Sequence, residues 1–436
     1  MKILLPICCF LLSLCSFHLQ ATPTQKPNVL LVIADDMGLD ASACYQVGTQ
    51  QASMPNLEQL CAIGMTFNHA YAAPTCSPTR ATILTGNYGF RTGVGFAMSR
   101  KQDSISNQQE SLFELVSQQG YSSALVGKWH LATEKDGLNQ PAKFGINEYF
   151  GPYRGGVKDY ETWSAVHNGQ EKNITGYATS VLTDYAIDWL SKQTKPWFLW
   201  LAYNAPHVPF HLPPKELLTV DKLPANDARA IKQNPLPYFN AALQALDTEM
   251  GRLLASLSAN ERQNTVVIFV GDNGSPGQVA RKLYKNRGAK GSIFDGGTRV
   301  PLIVQGPKIQ QGKSNVLVNS TDLYATIASI TGAKSKALDS IDFSPSFSGQ
   351  AVPRKHIYVE QFSSGKSNKK GPTFGWAVRD SQYSLVVPEG ERQMLFDLTK
   401  DPLQQEDLLS TAQSSSFEKL TKELLLIKQQ LKTDNR

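Results

Sequence analysis

Residues 28–36 read NVLLVIADD, an unbroken apolar run that stops on two aspartates. The run is rich in branched aliphatic residues and too short for a core helix, so it reads as a strand buried on both faces. Such strands belong to parallel sheets covered by helices, where ligands bind beyond the carboxyl ends of the strands. Asp35 and Asp36 stand at one of those ends. Their side chains diverge along the chain unless a positive charge draws both inward, and a divalent cation would do so.

The pattern recurs. SALV runs into Gly127-Lys128-Trp129-His130, WFLWLAY into Asn204-Ala205-Pro206-His207, and TVVIFV into Gly271-Asp272-Asn273-Gly274. A fifth apolar run, VPLIV, follows Arg299. Helical patterns alternate with these strands. SLFELVSQQG stops on Gly120, residues 180–192 align Val181, Leu182, Tyr185 and Trp189, and DLYATIASITG stops on Gly332. The alternation predicts an α/β fold: a large mixed, mainly parallel sheet sandwiched by helices. Four strand ends carrying Asp, Lys, His and Asn then converge on one site.

After HIYVEQF, read as a final strand, the chain turns to Gly, Ser and Lys and then to short antiparallel patterns. Phe417, Leu420, Leu424, Ile427 and Leu431 form the stripe of a last helix, which is too short for a coiled coil and suits packing on a sheet. This predicts a small C-terminal α+β subdomain with a short antiparallel sheet over 366–436, after a catalytic domain over 22–365.

The 436 residues carry a formal charge of +6, which favours anionic partners mildly and does not call for nucleic acid. Lys2, the apolar run 3–17 and Ala21 read as a signal peptide, 1–21, cleaved near Ala21. No small residue precedes Cys8, Cys9 or Cys15 as lipid attachment requires, and no later run is long enough to span a bilayer. The expected location is periplasmic or secreted, with no stable membrane insertion. Three cysteines remain in the mature chain. Cys44 and Cys61 either pair or stay as buried thiols, and Cys76 is left over.

Asp35, Asp36, Asp272 and Asn273 offer oxygen only, which suits Ca²⁺ or Mg²⁺ and disfavours Zn²⁺. A single such pair is more often a turn or a helix cap; two at neighbouring strand ends are not. Cys76 lies in PTCSPTRATILTG, residues 74–86, where Pro78 suits a first helical turn. Arg80 opposes the helix dipole there, which makes sense if it faces an anion or residue 76. Lys128 closes a strand in a glycine-led turn. Lys290 sits in the basic, glycine-rich NRGAKGSIFDGGTR, with Arg281, Lys282, Lys285 and Arg287 close in sequence and read as solvated. His130 and His207 follow strands and could move protons near neutral pH. Nothing in the sequence sets a histidine beside Cys76.

Together these residues resemble the type I sulfatases of the alkaline phosphatase superfamily. Cys76-Ser77-Pro78-Thr79-Arg80 through Thr85-Gly86 fits that family's first signature, and GYSSALVGKWH fits its second. The Asp-Asp, Ala-Pro-His, Asp-Asn-Gly and Lys-Gly-x-x-x-x-Gly-Gly-x-Arg elements follow in family order, over about residues 27–410. The resemblance implies an alkaline phosphatase-like sheet and an enzyme that hydrolyses sulfate esters.

It further implies that a formylglycine-generating enzyme oxidises Cys76 to 3-oxoalanine, whose hydrate attacks sulfur. One Ca²⁺ would be held by Asp35, Asp36, Asp272, Asn273 and residue 76. Arg80 would stand beside the nucleophile, Lys128 and Lys290 would clamp sulfate oxygens, His207 would protonate the leaving alcohol and His130 would support the second hydroxyl. Arg299, Arg154 and His211 are the candidates for the leaving-group pocket, and Ser164 or Ser180 for a serine that some relatives keep near the hydroxyls. The implied substrate is a sulfated carbohydrate, such as an algal galactan or a glycosaminoglycan. The rival readings are a phosphodiesterase or phosphonate monoester hydrolase, a non-catalytic polysaccharide-binding relative, and a cysteine hydrolase.

Overall fold

The computed structural model describes residues 25–48, 50–99, 104–219, 225, 227–285, 287–363, 374–410 and 414–433. The expected signal peptide, 1–21, lies outside them.

Ten strands build the large sheet: β1 (Asn28–Ala34), β2 (Met65–Tyr71), β3 (Ser122–Gly127), β4 (Tyr149–Gly151), β5 (Thr162–His167), β6 (Gln170–Thr175), β7 (Trp197–Tyr203), β8 (Thr265–Gly271), β9 (Leu302–Gln305) and β10 (Gly312–Asn319). Their order is β10-β2-β9-β8-β1-β7-β3-β4-β5-β6. β8, β1, β7 and β3 are parallel neighbours, in register from Val29 opposite Phe198 to Ala34 opposite Tyr203, and Ala34 opposite Gly271. β1 is buried throughout, as its apolar run requires.

Alternation along β1 sends its side chains into two cores. Val29, Leu31 and Ile33 join Ile83, Leu84, Phe113 and Ile327 from helices Cys76–Thr85, Leu112–Gln118 and Asp322–Thr331. Leu30 and Val32 join Leu182, Leu243, Leu246 and Leu253 from helices Ala178–Ser191 and Leu236–Ser256. Cutting any of these leucines to alanine would cost about 2–5 kcal/mol. Cys44 and Cys61 form a disulfide beside the second core, with Cα atoms 6.2 Å apart.

Two strands depart from the sequence reading. β9, the core of VPLIV, runs antiparallel to both β8 and β2. HIYVEQF supplies β11 (Ile357–Gln361), which joins β12 (Gly375–Arg379), β13 (Tyr383–Pro388) and β14 (Met394–Asp397) in a separate antiparallel sheet. That sheet therefore starts ahead of residue 366. One face packs on Tyr71, Ile293, Phe294 and Leu317 of the large unit. The other carries the expected last helix, Glu418–Thr433, through Leu424, Leu420, Ile427 and Leu431. A buried ion pair between Arg379 and Asp295 and a bond from Gln361 Nε2 to the Gly291 carbonyl (2.9 Å) fasten the small sheet to the segment between β8 and β9.

Candidate active site

The ends of β8, β1, β7 and β3 carry, in that spatial order, Asp272-Asn273, Asp35-Asp36, Asn204 to His207, and Lys128 to His130. Ladder bonds persist just past the strands: Asp272 N donates to Ala34 O (3.2 Å), Asp35 N to Ala205 O (3.2 Å) and Lys128 N to Ala202 O (2.9 Å). Gly127 makes the last approach possible. At its φ of 113° a Cβ would lie 1.9 Å from the Ala202 carbonyl oxygen. Asp36 and His130 both adopt left-handed backbone, φ 72° and 60°. This costs roughly 1–2 kcal/mol at a non-glycine residue, less for aspartate.

Helix Cys76–Thr85 starts at this rim, with Cys76 beside Asp35, Asp272 and His130, and all ten of its residues are buried. Thr75, its extended N-cap, makes no side-chain capping bond; Pro78 has no N–H and Thr79 N bonds the Thr75 carbonyl, which leaves the Cys76 and Ser77 N–H groups without a side-chain cap. Arg80 does face an anion. Its Nη2 donates to Asp272 Oδ2 (2.8 Å) and its Nη1 to the Lys128 carbonyl (2.7 Å). Lys128 Nζ pairs with Asp35 Oδ2, and Lys290 Nζ reaches Asp36 Oδ1 at 2.5 Å. Asn273 Nδ2 donates to the same Asp36 oxygen (2.8 Å), and Asp36 N to Asp272 Oδ1 (3.0 Å).

Ligand atoms of Asp35, Cys76 and Asp272 lie within 4.8 Å of one another, as do those of Asp35, Asp36 and His207. Burial would raise the Asp35 carboxyl, but Lys128, with His207, Arg80 and Lys290, overrides it and holds the group well below the usual range. Burial and the Asp35 charge push Asp272 up to about 7 against Arg80 and Lys128. Carboxylates this close share a proton unless a cation offsets them. Asp35 Oδ1 and Asn273 Oδ1 are buried without a hydrogen-bond partner. Two orphaned oxygens in an all-oxygen set of side chains fit a hard divalent cation.

Cys76 Sγ lies 3.3 Å from His130 Nδ1, so a Cys–His contact exists that the sequence did not announce. Burial pushes the thiol up against Lys128 and Lys290, while burial and Lys128 drive His130 well down. Both shifts disfavour a thiolate–imidazolium pair and so weigh against the cysteine-hydrolase reading. Ser77 Oγ fixes the histidine by donating to the His130 carbonyl (2.9 Å). His207 Nδ1 lies 2.7 Å from the Val208 carbonyl, which only accepts, so Nδ1 carries a proton and Nε2 faces Asp36 Oδ2 at 3.8 Å. Burial lowers His207, partly offset by Asp36 and Asp35.

The remaining expected residues divide. Exposed Arg154 packs on the Tyr153 ring (5.4 Å) and precedes Gly155 and Gly156. A Cβ on those glycines would sit 3.3 Å from His130 Nε2 and 3.1 Å from His207 Nδ1. Arg154 thus borders the site. His211 stacks on Tyr160 (4.0 Å) and contacts Tyr177 Oη at 3.1 Å, and Tyr160 Oη donates to the His207 carbonyl (2.8 Å). Arg299 is not brought in. β9 starts at this end of the sheet, but the Arg299 guanidinium is spent on the Asn68 carbonyl at 3.0 and 2.5 Å. Ser164 bonds Glu171 (2.8 Å) and Ser180 bonds Glu249 (2.6 Å), so neither joins the cluster. The Gly155-Gly156 pair and Tyr160 are not among the residues expected from sequence; a glycine pair marks a close approach of the backbone without saying to what.

Residues 27–333 match the Sulfatase family. The chain belongs to that family. It is 30% identical to the N-acetylgalactosamine-6-sulfatase of Canis lupus familiaris over 374 residues, covering 77% of this chain and 68% of that protein. It is 27% identical to arylsulfatase A of Homo sapiens over 475 residues, covering 93% and 88%. The solved structure of Ps i-CgsB in complex with k-i-k-neocarrahexaose superposes with a TM-score of 0.78 at 26% identity, covering 94% of both chains. This sulfatase hydrolyses sulfate esters, and its large mixed sheet with a small antiparallel partner is the family fold.

Proposed function

We propose that this sulfatase is exported, carries an aldehyde made from Cys76, holds Ca²⁺ at Asp35, Asp36, Asp272 and Asn273, and removes sulfate from a carbohydrate. The observation that carries the reading is the meeting of buried Cys76 with Asp35, Asp272 and His130 at an uncapped helix N-terminus. The two orphaned oxygens support the ion, and their hardness favours Ca²⁺ over Zn²⁺. When bound, the ion supplies positive charge that offsets the carboxylates and favours the ionised form of a neighbouring oxygen. The hydrated aldehyde supplies the attacking hydroxyl.

The chain's own side chains do the rest. Lys128 and Lys290 bind the anionic sulfate oxygens and stabilise the charge that shifts onto them. Arg80 orients Asp272 through its fork and bridges it to the Lys128 turn. His207 in its imidazolium form donates the Nε2 proton to the leaving alcohol oxygen, while Nδ1 stays committed to Val208. Burial disfavours that charged form, and the Asp36 and Asp35 carboxylates beside the ring offset burial and favour it. His130 Nδ1, beside the residue 76 side chain, takes a proton from the hydroxyl there.

A sulfated carbohydrate agrees with the N-acetylgalactosamine named in one relative and the k-i-k-neocarrahexaose bound in the solved neighbour. Exposed Arg154 at the rim supports an anionic leaving group. The Cys44–Cys61 disulfide supports an oxidising compartment, in keeping with the leader expected from the sequence, and among the described residues no helix is long and apolar enough to cross a membrane. We keep two domains, with the C-terminal one starting ahead of Ile357. Tryptic mass spectrometry at residue 76 and a desulfation screen over defined sulfated oligosaccharides, with aryl phosphate as the control, test the proposal. Unmodified thiol in fully active enzyme, or faster phosphate release, would defeat it.

A further inference from the structure

Between Asn273 and Phe294 the chain carries Arg281, Lys282, Lys285, Arg287 and Lys290 and no carboxylate. Both ends of the segment are anchored in the site. It leaves from Asn273 at the end of β8, and it returns where Lys290 N donates to the Ser275 carbonyl (2.9 Å) and Lys290 Nζ meets Asp36. In between, the backbone is held to the large unit. Tyr284 is buried, its Oη donates to Asp40 Oδ1 (3.1 Å), and its ring lies against Gly296. Arg281, Lys282 and Lys285 flank that buried tyrosine, and all three are exposed. Among the described residues none of the three is in an ion pair with a carboxylate.

Three like charges on a pinned backbone, without acidic partners, repel one another and gain from an extended polyanion. A single sulfate ester is already served by Lys128 and Lys290. We propose that Arg281, Lys282 and Lys285 form a docking track for the further sulfate groups of a polymeric sulfated carbohydrate, while one ester of that chain occupies the site. The inference rests on the sulfate-ester reading and adds to it a preference for long chains. The track contributes affinity by long-range attraction, so its effect fades as salt shortens the screening length to about 8 Å at physiological strength.

The test compares the full-length enzyme with R281A/K282A/K285A by affinity electrophoresis in gels holding dextran sulfate, neutral dextran or duplex DNA. Turnover of an aryl sulfate is measured in parallel, with thermal melts to check folding and K282E as a second variant. The expected result is retardation by dextran sulfate that is about tenfold weaker in the triple variant and intermediate between variant and parent for K282E, which changes the charge by two where the triple variant changes it by three. Neutral dextran should not retard either, and aryl sulfate turnover should be unchanged. Equal retardation of parent and variants by dextran sulfate overturns the track. Retardation by DNA as strong as by dextran sulfate overturns the carbohydrate partner. Absence of aryl sulfate turnover in the parent defeats the sulfate-ester reading instead, so the failures are told apart.

Discussion

Arg80 donates to Asp272 across 2.8 Å in a place where both side chains are closed to solvent. The pair joins the helix that carries Cys76 to the end of β8, and the second arm of the fork ties in the end of β3 through the Lys128 carbonyl. Removing one partner of such a pair strands a buried charge. Arg80→Ala should therefore cost about 3–5 kcal/mol of stability. Arg80→Lys should fold better and still lose activity on aryl sulfate by about a hundredfold, because an ammonium cannot hold two acceptors in the plane of the fork. Denaturant midpoints and kcat/KM for both variants check this. An active, stable Arg80→Ala would show that the bond is incidental.

Calcium should stabilise the protein. Ligand at one hundred times Kd adds about 2.7 kcal/mol to a fold that binds it only when native. Thermal melts with Ca²⁺ against a chelator should separate accordingly. Asp35→Asn and Asp272→Asn should melt at the same temperature in both conditions, and neither should retain metal by elemental analysis. A calcium response that survives both substitutions would move the ion elsewhere.

His69, on β2 near Arg299, provides a pH dependence remote from the chemistry. Burial, with the Arg299 charge, lowers it from 6.5 to about 4. In the unfolded chain the imidazole takes a proton as pH falls through 6.5, whereas the folded chain resists until about 4. Unfolding is therefore favoured by proton uptake, and stability is lost as pH falls across that window. The group is partly exposed, so the effect discounts to about 1–2 kcal/mol. Urea midpoints at about pH 7 and about pH 4 should differ by less in His69→Gln than in the parent. An identical difference would clear His69 of the effect.

What the sequence made legible follows strand direction. β1, β3, β7 and β8 are apolar on both faces and end in polar residues, and the rule that ligands gather at such ends places Asp35, Lys128, His207 and Asp272 together. β9 has the same composition but runs the other way, and nothing local in VPLIV records that. That course brings the start of β9 to the site end of the sheet, and what keeps Arg299 out is its bond to the Asn68 carbonyl, a tertiary contact that the sequence does not record. In the hairpin of β5 and β6 one strand is half buried and the other exposed, and neither carries a long apolar run, so it gave no signal. β11 looked like one more buried strand because it is one, only in the other sheet. The contact of Gly155 and Gly156 with the two histidines depends on tertiary approach, which no pattern in the chain encodes.

Cys76→Ser, produced in a host that cannot oxidise serine in this motif, is the sharpest test of the proposed nucleophile. The substitution is nearly isosteric, and the residue it changes is buried at a helix N-terminus, so folding should be unaffected. Serine offers one hydroxyl where a hydrated aldehyde offers two. Its oxygen still lies beside His130 and the lysines, so attack on sulfur remains geometrically open, if slow. A serine sulfate ester has no second hydroxyl proton to lose, and no carbonyl can re-form to expel sulfate. The variant should bind substrate, fail to turn over, and after incubation carry a mass increase of one sulfate on the peptide that holds residue 76. If water attacked sulfur directly, with residue 76 only positioning it, the serine hydroxyl would position it nearly as well. Multiple turnover by unmodified Cys76→Ser would then be the result, and it would remove the covalent route and leave His207 and His130 as a general acid and base pair.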